Sequence, residues 1–403
     1  MAFITRYAYT INSYADNPHL NISSSNDTEA TQTNENQSGA REGSSYPSST
    51  KTMNVKAGGK EMRRKLISTL LVATMVMAPV VSVSAATDDA AESTPVKAAD
   101  AVGITLPEKV EGSYTIGYAP ATLNNAFWLA VKDGVQKAID ESGADVKLVD
   151  VDAGGDQAIM NDGIANLISS GIDALICAPA DSTAVVSAFQ QCKDAGIPVI
   201  NFDTPVQGDA TELVETIIAS DNINAGYVVG KDAAEKMEDG AKILVLHSPR
   251  ASACVDRLNG FIQALDESGK KYEIVNTLDG KGEQETSLTL TSDALVADPD
   301  LSIIFAVNDP SAMGAANAIQ QTSVALENDI MVYGVDGNPD AKKMIEAGQM
   351  EGTGAQSPES LGYDSMCAAF NVLAGNEVSK DVAVDTFIVT ADNVADYGTD
   401  GWQ

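Results

Sequence analysis

The chain has 403 residues, a formal net charge of −32 at pH 7 and 44% hydrophobic residues. This length accommodates two or three domains, and the hydrophobic content is that of an ordinary globular protein. Because the chain is strongly acidic and its basic residues are scattered, it would repel a phosphate backbone, which argues against nucleic acid as a partner.

The N-terminal part of the chain predicts export. Residues 1–61 are rich in Ser, Asn and Thr and lack hydrophobic periodicity, which predicts disorder. Residues 62–85 combine a basic head, an apolar run and small residues before Ala86, as in a signal peptide. A membrane anchor is the alternative, although Pro79 interrupts a run near the lower limit for spanning a bilayer. Since signals normally begin a chain, a hypothesis is that translation starts at Met62 and that the upstream residues are not translated.

Residues 86–112 are rich in Ala, Asp, Glu and Thr, which predicts a flexible linker. From Tyr114 onward, short β-branched runs alternate with amphipathic helical stretches, which is typical of βαβ units in parallel sheets. The predicted strands are Tyr114–Tyr118, Val146–Val151, Ala174–Ala178, Val199–Asp203, Ile217–Ser220, Ile243–His247, Glu273–Leu278, Ile303–Val307, Met331–Val335, Met350–Ala355 and Thr386–Val389.

This number of strands is at the limit of one open twisted sheet, so we predict two sheets in an α/β fold. No clear helix separates the run ending at Asp203 from the run ending at Ser220. We therefore expect the chain to change lobes at this point.

The first strand of this region leads into a polar loop and then a helix. The loop holds Asn124 and Asn125, and the helix begins with Phe127 and Trp128. In open α/β sheets, ligands bind outside the carboxyl ends of the strands, where this loop would lie. Amides and aromatic faces suit a sugar or polyol. The alternative is an Asn-capped helix with two core aromatics.

Three later junctions share one design, in which an Asp, Asn or Ser stands directly before a proline. They are Asn308–Pro310, Gly337–Pro339 and Gln356–Pro358. Capping residues followed by proline at the first helical position explain these pairs as helix starts. They do not explain why the residue at the preceding strand end is also polar in each case, at Asn308, Asp336 and Gln356.

Cysteine and histidine usage restricts the chemistry. The four cysteines are far apart, which predicts free thiols and not a zinc site or a disulfide scaffold. His247 is the only histidine after the predicted signal, so a histidine-based triad would have to use it. The acidic run from Asp150 has Asn161 where a calcium loop needs a bidentate Glu, which favours a strand end and turn. We expect no metal and no cofactor.

Seven segments, in this order, resemble the periplasmic ribose- and galactose-type sugar-binding proteins that serve ABC transporters. The resemblance covers residues 113–390, and the same fold occurs in the ligand-binding part of lactose-type repressors. The segments are Thr122–Trp128 (TLNNAFW), Ile200–Asp203 (INFD), Ile218–Asn222 (IASDN), Arg257–Phe261 (RLNGF), Phe305–Asp309 (FAVND), Val335–Asp340 (VDGNPD) and Ala355–Gln356 (AQ).

The resemblance implies a type I periplasmic binding protein, with two Rossmann-like lobes, each a mainly parallel sheet flanked by helices, joined by a three-segment hinge. It implies an N-terminal lobe of residues 113–220 and 357–385 and a C-terminal lobe of residues 221–356 and 386–403. The ligand contacts that it implies are Asn125, Phe127, Trp128, Asp203, Arg257, Asn308, Asp336 and Gln356. The physical chemistry fits, because carboxylates accept paired hydrogen bonds from vicinal hydroxyls and Arg donates a fixed fork.

Three positions depart from the ribose-type pattern. Thr204 stands where ribose binders carry an Arg, and Gly282 stands where they have an aromatic residue. Trp128 replaces a smaller ring. The pocket thus loses one guanidinium and one stacking face, so a larger or differently hydroxylated sugar or polyol is as plausible as ribose.

We therefore expect a monomeric, exported bacterial binding protein, in the periplasm or outside the cell, that delivers a monosaccharide or polyol to an ABC transporter permease. A receptor for a sugar-like signalling molecule is the alternative from sequence. An enzyme with paired carboxylates is less favoured, because the chain has no nucleophile elbow and the glycine pair Gly226 and Gly230 has the wrong spacing for a phosphate loop. A repressor would need a DNA-reading module ahead of residue 113, where a signal and an acidic linker stand instead.

Overall fold

The computed structural model describes residues 104–322 and 329–403, which belong to one compact unit. The predictions of a disordered segment, a signal peptide and most of the linker fall on residues 1–103 and lie outside this part of the chain. In the part that is described, no helix has both the length and the apolar character needed to cross a bilayer.

The described residues form two six-stranded sheets. In the first, all strands are parallel and their order is β11-β5-β4-β3-β1-β2. Its strands are β1 (Ser113–Ala119), β2 (Asp145–Asp150), β3 (Ala174–Cys177), β4 (Val199–Phe202), β5 (Thr216–Ser220) and β11 (Asp381–Val384). The four central strands of this order, β5, β4, β3 and β1, are largely buried, as expected for a parallel sheet covered on both faces.

The second sheet has the order β12-β10-β9-β8-β6-β7. Only β12 runs antiparallel to its neighbour. The strands are β6 (Ala241–His247), β7 (Tyr272–Asp279), β8 (Ile303–Ala306), β9 (Met331–Asp336), β10 (Gly352–Ala355) and β12 (Phe387–Thr390). Two mainly parallel sheets with flanking helices are the fold class that the resemblance implies.

Helices connect most consecutive strands. They are α1 (Ala126–Ser142), α2 (Gln157–Ser170), α3 (Val186–Asp194), α4 (Asn222–Lys236), α5 (Ser252–Ser268), α6 (Gln284–Ala297), α7 (Asp309–Gln321), α8 (Pro339–Glu346), α9 (Pro358–Leu373) and α10 (Val394–Tyr397), with a 3₁₀ helix at Gly208–Leu213. Side chains cap several of them, as when Asp156 Oδ1 accepts from the backbone N–H groups of Ala158 and Ile159. The Asp156 carboxylate is therefore occupied by hydrogen bonds to the backbone at the start of α2.

The chain passes between the two sheets three times. The crossings lie between β5 and α4, between β10 and α9, and between β11 and β12. Near the first and third crossings, the Asn224 side chain donates to the carbonyl and hydroxyl oxygens of Thr386, both at 2.9 Å. Adjacent crossings tied in this way form a hinge of three segments.

The structure corrects the predicted point of lobe change. The run ending at Asp203 and the run ending at Ser220 are neighbours in one sheet, because β4 pairs with β5. The chain leaves the first sheet only after Ser220. The loop between β4 and β5 is filled by the 3₁₀ helix, whose Ala210 is buried, so no longer helix is needed to join them.

The sequence also missed one strand and misjudged one cap. Strand β11 was not predicted, because Asp381–Val384 has only four positions, of which two are exposed, one is half-buried and one is buried. Ser357 precedes the proline of α9 but makes no side-chain capping bond, unlike Asn308 and Asn338 at the other two junctions.

The end of the predicted linker is held by the first lobe. Ile104, Leu106 and Val110 pack against the core around β1, α1 and α9. Asn371 donates through its side-chain amide to the carbonyl of Thr105 at 3.0 Å. Residues 104–112 are thus part of the folded lobe surface.

Candidate functional site

The predicted polar residues lie at the carboxyl ends of neighbouring strands. Asp203 follows β4 in the first sheet, whereas Asn308, Asp336 and Gln356 stand at or just after the ends of β8, β9 and β10 in the second. Parallel strands present their carboxyl ends at one edge of a sheet, which is where open α/β proteins bind ligands.

Arg257 organises the second-lobe side of the site. Its Nε donates to Asn222 Oδ1 at 2.8 Å, and its Nη1 donates to the carbonyl of Val307 at 2.9 Å and to Asp336 Oδ1 at 3.3 Å. Burial alone would lower the pKa of Arg257, but Asp336 and the other acidic neighbours raise it above its ordinary value. The guanidinium is therefore charged and fixed in orientation.

Asp336 and Gln356 form the next part of the same network. Gln356 Nε2 donates to Asp336 Oδ1 at 2.9 Å, and the backbone N–H of Asp309 donates to Asp336 Oδ2 at 3.4 Å. Burial raises the pKa of Asp336 well above that of a free aspartate, and Arg257 opposes this change. Asp336 is thus an acceptor with both oxygens engaged.

Asp309 ties the strand ends of the second lobe together. Its side chain is fully buried and accepts from Thr353 Oγ1 at 2.7 Å and from the backbone N–H of Asn338 at 2.7 Å. Burial raises its pKa, while these donors and Arg257 lower it. These bonds connect the starts of α7 and α8 with β10 and so fix the edge on which Asp336 and Gln356 stand.

Asp203 supplies the carboxylate of the first lobe. Its Oδ2 accepts from Thr204 Oγ1 at 2.8 Å, whereas its Oδ1 is buried and has no hydrogen-bond partner among the residues that the structure describes. Burial raises the pKa of Asp203, and the charge of Arg257 opposes that effect. The charge of Arg257 therefore acts on Asp203 from the other lobe.

A second acceptor without a partner lies in the other lobe. Gln356 is fully buried, its Nε2 donates to Asp336, and its Oε1 has no hydrogen-bond partner in the described part of the chain. Buried acceptors are costly to leave unpaired, at about 1 to 3 kcal/mol each. Asp203 Oδ1 and Gln356 Oε1 are therefore acceptors for which the described residues supply no donor.

The predicted aromatic residues lie in the core of the first lobe. The ring centroids of Phe127 and Trp128 are 5.2 Å apart and edge-to-face, and Trp128 meets Phe202 at 5.8 Å. Tyr118 Oη donates to the carbonyl of Trp128 at 2.9 Å. Phe127 also meets Trp402 at 5.8 Å. Both rings thus have the core contacts of the structural alternative, and a role in stacking on a ligand stays a prediction.

The two predicted asparagines are helix caps. Asn125 Oδ1 accepts from the backbone N–H of Phe127 at 2.9 Å, which leaves its amide N–H₂ as a donor. Asn308 Oδ1 accepts from Ser311 at 3.1 Å, and its Nδ2 donates to the carbonyl of Gly282 at 3.0 Å. The Asn308 side chain is therefore occupied largely within its own lobe.

The lobes touch beside this site. The N–H of Ser182 donates to the carbonyl of Arg250 at 3.1 Å, and the N–H of Ser252 donates to Ser182 Oγ at 3.0 Å. Ser252 Oγ donates to the carbonyl of Pro205 at 2.5 Å. Loops that follow β3 and β4 thus contact the start of α5, which carries Arg257.

Sequence reasoning did not include two residues of this network. Asn222 holds Arg257 Nε, and it stands in the segment Ile218–Asn222 that carries part of the resemblance. Asp309 was interpreted only as a capping residue before proline, although the cap is Asn308. For Asp309, the available signal was its position next to the predicted Asn308, and for Asn222 it was the polar pair Asp221 and Asn222 directly after the end of β5.

Residues 116–377 match the model of the periplasmic binding protein domain family. The chain belongs to this family. It is 34% identical over 271 residues to the ribose import binding protein RbsB of Bacillus subtilis, covering 67% of this chain and 85% of that protein. It is 33% identical to the RbsB protein of Escherichia coli, over 72% of this chain and 95% of that one.

Solved structures of the family have the same fold. A periplasmic solute-binding protein of an ABC transporter from Actinobacillus succinogenes, with bound D-allose, matches with a TM-score of 0.64 at 26% identity, over 71% of this chain and all (100%) of that one. A solute-binding protein from Agrobacterium vitis with bound D-fucose matches with a TM-score of 0.65 at 28% identity, over 70% of this chain and 96% of that one. The predictions of family and fold class are thereby confirmed.

Proposed function

We propose that the protein is an extracytoplasmic substrate-binding protein that captures a monosaccharide or polyol between its two lobes and delivers it to the permease of an ABC transporter. The observation that carries this proposal is the pair of buried acceptors, Asp203 Oδ1 and Gln356 Oε1, which come from different lobes and have no partner among residues 104–322 and 329–403. The sugar-binding names of the family members at 33–34% identity support it.

The binding mechanism involves no covalent step. Each lobe alone offers a ligand only part of its hydrogen bonds, because Asp203 belongs to the first lobe and Arg257, Asp336 and Gln356 belong to the second. The ligand therefore stabilises the arrangement in which the lobes contact each other. Hinge closure of this kind removes water and makes each retained hydrogen bond stronger.

The eight predicted residues have unequal roles in this proposal. Asp203 and Gln356 accept from hydrogen-bond donors of the ligand, Asn125 donates, and Arg257 with Asp336 presents a pre-oriented ion pair. Asn308, Phe127 and Trp128 shape the wall, because their polar atoms or rings are already engaged within the protein.

We also infer that the protein works outside the cytoplasm, as a monomer. The basic, apolar and small-residue parts of residues 62–85 support export, and the family relationship agrees with it. The strongly acidic surface, with a net charge of −32, favours a protein that stays dispersed. A permease would recognise the surface that the two lobes form together when closed.

A thermal-shift screen against monosaccharides and polyols, followed by calorimetric titration of each hit, tests the function. A tight ligand raises the melting temperature by mass action. Asp203→Ala should weaken the best ligand by about tenfold or more, because the donors that it paired are left in a closed cleft. Asp209→Ala, at an exposed aspartate of the same lobe, is the matched control. Turnover of a glycoside would favour the enzyme, and equal binding by both variants would contradict the site.

A further inference from the structure

The buried charges of the site do not balance within the protein. Three buried aspartates, Asp203, Asp309 and Asp336, interact with one buried guanidinium, Arg257. Lys342 is the other buried cation that acts on this group, through Asp309. With every group in its usual ionised form, three negative charges thus face two positive ones.

Each cation has an evident partner. Arg257 contacts Asp336 directly at 3.3 Å. Lys342 is fully buried, and its Nζ donates to the carbonyl of Gly401 at 2.7 Å. The charge of Asp309 acts on Lys342 and raises its pKa, against the effect of burial. Asp203 is left over, because in the described part of the chain its single side-chain hydrogen bond comes from the neutral hydroxyl of Thr204.

The other titratable groups near Asp203 do not supply the missing charge. Cys254 has its pKa raised to about 12 by burial, so it is a neutral thiol. Burial raises the pKa of Tyr118 well above its ordinary value, so its phenol is neutral as well. A buried carboxylate without a cation is costly, and either a proton or a ligand must neutralise it.

We propose that the natural ligand carries a protonated amine, as an amino sugar or amino polyol does, and that its ammonium donates to Asp203 Oδ1. This inference rests on the proposed function and names the chemical class of the ligand. The ligand's hydroxyls donate to Gln356 Oε1 and exchange hydrogen bonds with Asn125 and Arg257. An ammonium is suited to Asp203 because it neutralises the buried carboxylate as well as donating a charge-assisted hydrogen bond to it.

Binding of a neutral sugar would leave the charge of Asp203 without a partner from the ligand. On lobe closure, Asp203 would either stay ionised without a cation or take up a proton from solvent. If Asp203 takes up a proton, a neutral sugar binds more strongly as the pH falls, and its binding is coupled to proton uptake. The ammonium ligand brings its own charge and needs no such proton, so the two ligand classes are distinguishable by calorimetry.

The test is calorimetric titration of the whole protein near neutral pH with matched pairs that differ only in one amino or hydroxyl group. The pairs are glucosamine with glucose, galactosamine with galactose, mannosamine with mannose, and scyllo-inosamine with scyllo-inositol. In at least one pair, the amino member should bind about tenfold or more tightly than its hydroxyl counterpart. Titration in two buffers of different ionisation enthalpy should show no proton uptake for that amino member.

The substitution Asp203→Asn removes the negative charge of the side chain and keeps its shape. The amide keeps the size of the side chain and an acceptor for Thr204, so the amino member of the preferred pair should lose about a hundredfold in affinity. The hydroxyl member should change by about threefold or less. Asp209→Asn, at the exposed aspartate of the same lobe, should leave both affinities unchanged.

Each outcome decides between the claims. If hydroxyl members bind as tightly as their amino counterparts in every pair that binds, the inference is overturned and the proposed function stands. If Asp203→Asn weakens both members of the preferred pair equally, the charge of Asp203 does not select the amine, and the inference is likewise overturned. If neither class binds at millimolar concentration, the proposed function itself fails.

Discussion

Two aspartates of the site hold backbone conformations that residues with side chains seldom adopt. The angle φ is 55° at Asp203 and 147° at Asp336. Such strain persists only where the surrounding structure fixes it, and it is concentrated at ligand sites. Sequence reasoning placed both residues at strand ends, but it had no access to this strain, because φ there depends on the tertiary bonds around each carboxylate.

Arg257→Lys tests the fixed guanidinium. Lysine keeps the charge but cannot bridge Asn222, Val307 and Asp336 with one planar fork. We expect ligand affinity to fall about tenfold or more, and the melting temperature of the ligand-free protein to fall as well, because buried acceptors lose their donor. Calorimetric titration and thermal denaturation measure the two effects. Arg250→Lys at an exposed arginine is the control, and an affinity equal to wild type would contradict the assigned role of Arg257.

At the scale of elements, glycines let paired helices approach closely enough to place Arg257. A Cβ atom on Gly226 of α4 would lie 1.8 Å from the carbonyl oxygen of Arg257, and one on Gly260 of α5 would lie 1.9 Å from that of Ile223. The first lobe repeats the arrangement in α1 and α9, where a Cβ atom on Gly362 would lie 1.8 Å from the carbonyl oxygen of Val131. Close packing explains Gly226 better than a phosphate loop does.

Gly226→Ala should separate α4 from α5 and displace Arg257. Overpacking of this kind costs about 1 to 3 kcal/mol, and the shift of the guanidinium should lower ligand affinity in addition. Chemical denaturation and calorimetric titration measure the two. Gly401→Ala is the control, since a Cβ there meets nothing within 4 Å. Unchanged stability in Gly226→Ala would refute the close contact.

The C-terminal tail connects both lobes. The carbonyl of Gly401 accepts from Lys342 in α8 of the second lobe, while the next residue, Trp402, packs edge-to-face on Phe127 in α1 of the first. The resemblance implies a C-terminal lobe that includes residues 386–403, whereas Trp402 also contacts the first lobe. Periodicity identifies strands and helices, but it does not say which lobe an irregular tail contacts.

Trp402→Ala should loosen the closed arrangement. An edge-to-face aromatic pair is worth about 0.5 to 1.5 kcal/mol beyond its buried area, so we expect ligand affinity to fall about threefold to tenfold, mainly through faster dissociation. Trp402→Phe should keep most of the affinity, and Gln403→Ala should keep all of it. Stopped-flow kinetics measure the dissociation rate. A Trp402→Ala rate equal to that of wild type would show that the tail does not hold the lobes together.

At the scale of the whole molecule, buried aspartates make stability depend on pH. Burial raises the pKa of Asp256 and Asp364 to about 6 from 3.8. Because the folded state then binds more protons than the unfolded state, stability falls as the pH rises from about 4 to about 6. His247 acts oppositely, since its pKa falls from 6.5 to about 4 and stability is lost as the pH drops through that range.

The aspartates outnumber the histidine, because Asp203, Asp309 and Asp336 also have raised pKa values. We therefore expect the ligand-free protein to melt at a higher temperature at about pH 5.5 than at about pH 7.5. Differential scanning calorimetry measures this. Asp364→Asn should reduce the difference, and a melting temperature that rises steadily with pH would contradict the prediction.

The overall architecture was largely predictable. Hydrophobic patterning located eleven of the twelve strands of the described residues, and the limit on sheet size indicated two sheets. The order of strands and the point of lobe change were not accessible in this way, since pairing of β4 with β5 depends on contacts across the fold. For the same reason, the motif residues located the site, whereas the balance of its charges became visible only from the structure.

A crystal structure of the protein with the tightest ligand from the paired panel tests the central claim most directly. The account predicts one ligand between the lobes, with a donor within hydrogen-bond distance of Asp203 Oδ1 and another within hydrogen-bond distance of Gln356 Oε1. A ligand that contacts only one lobe, or that leaves both of these oxygens unpaired, would contradict it.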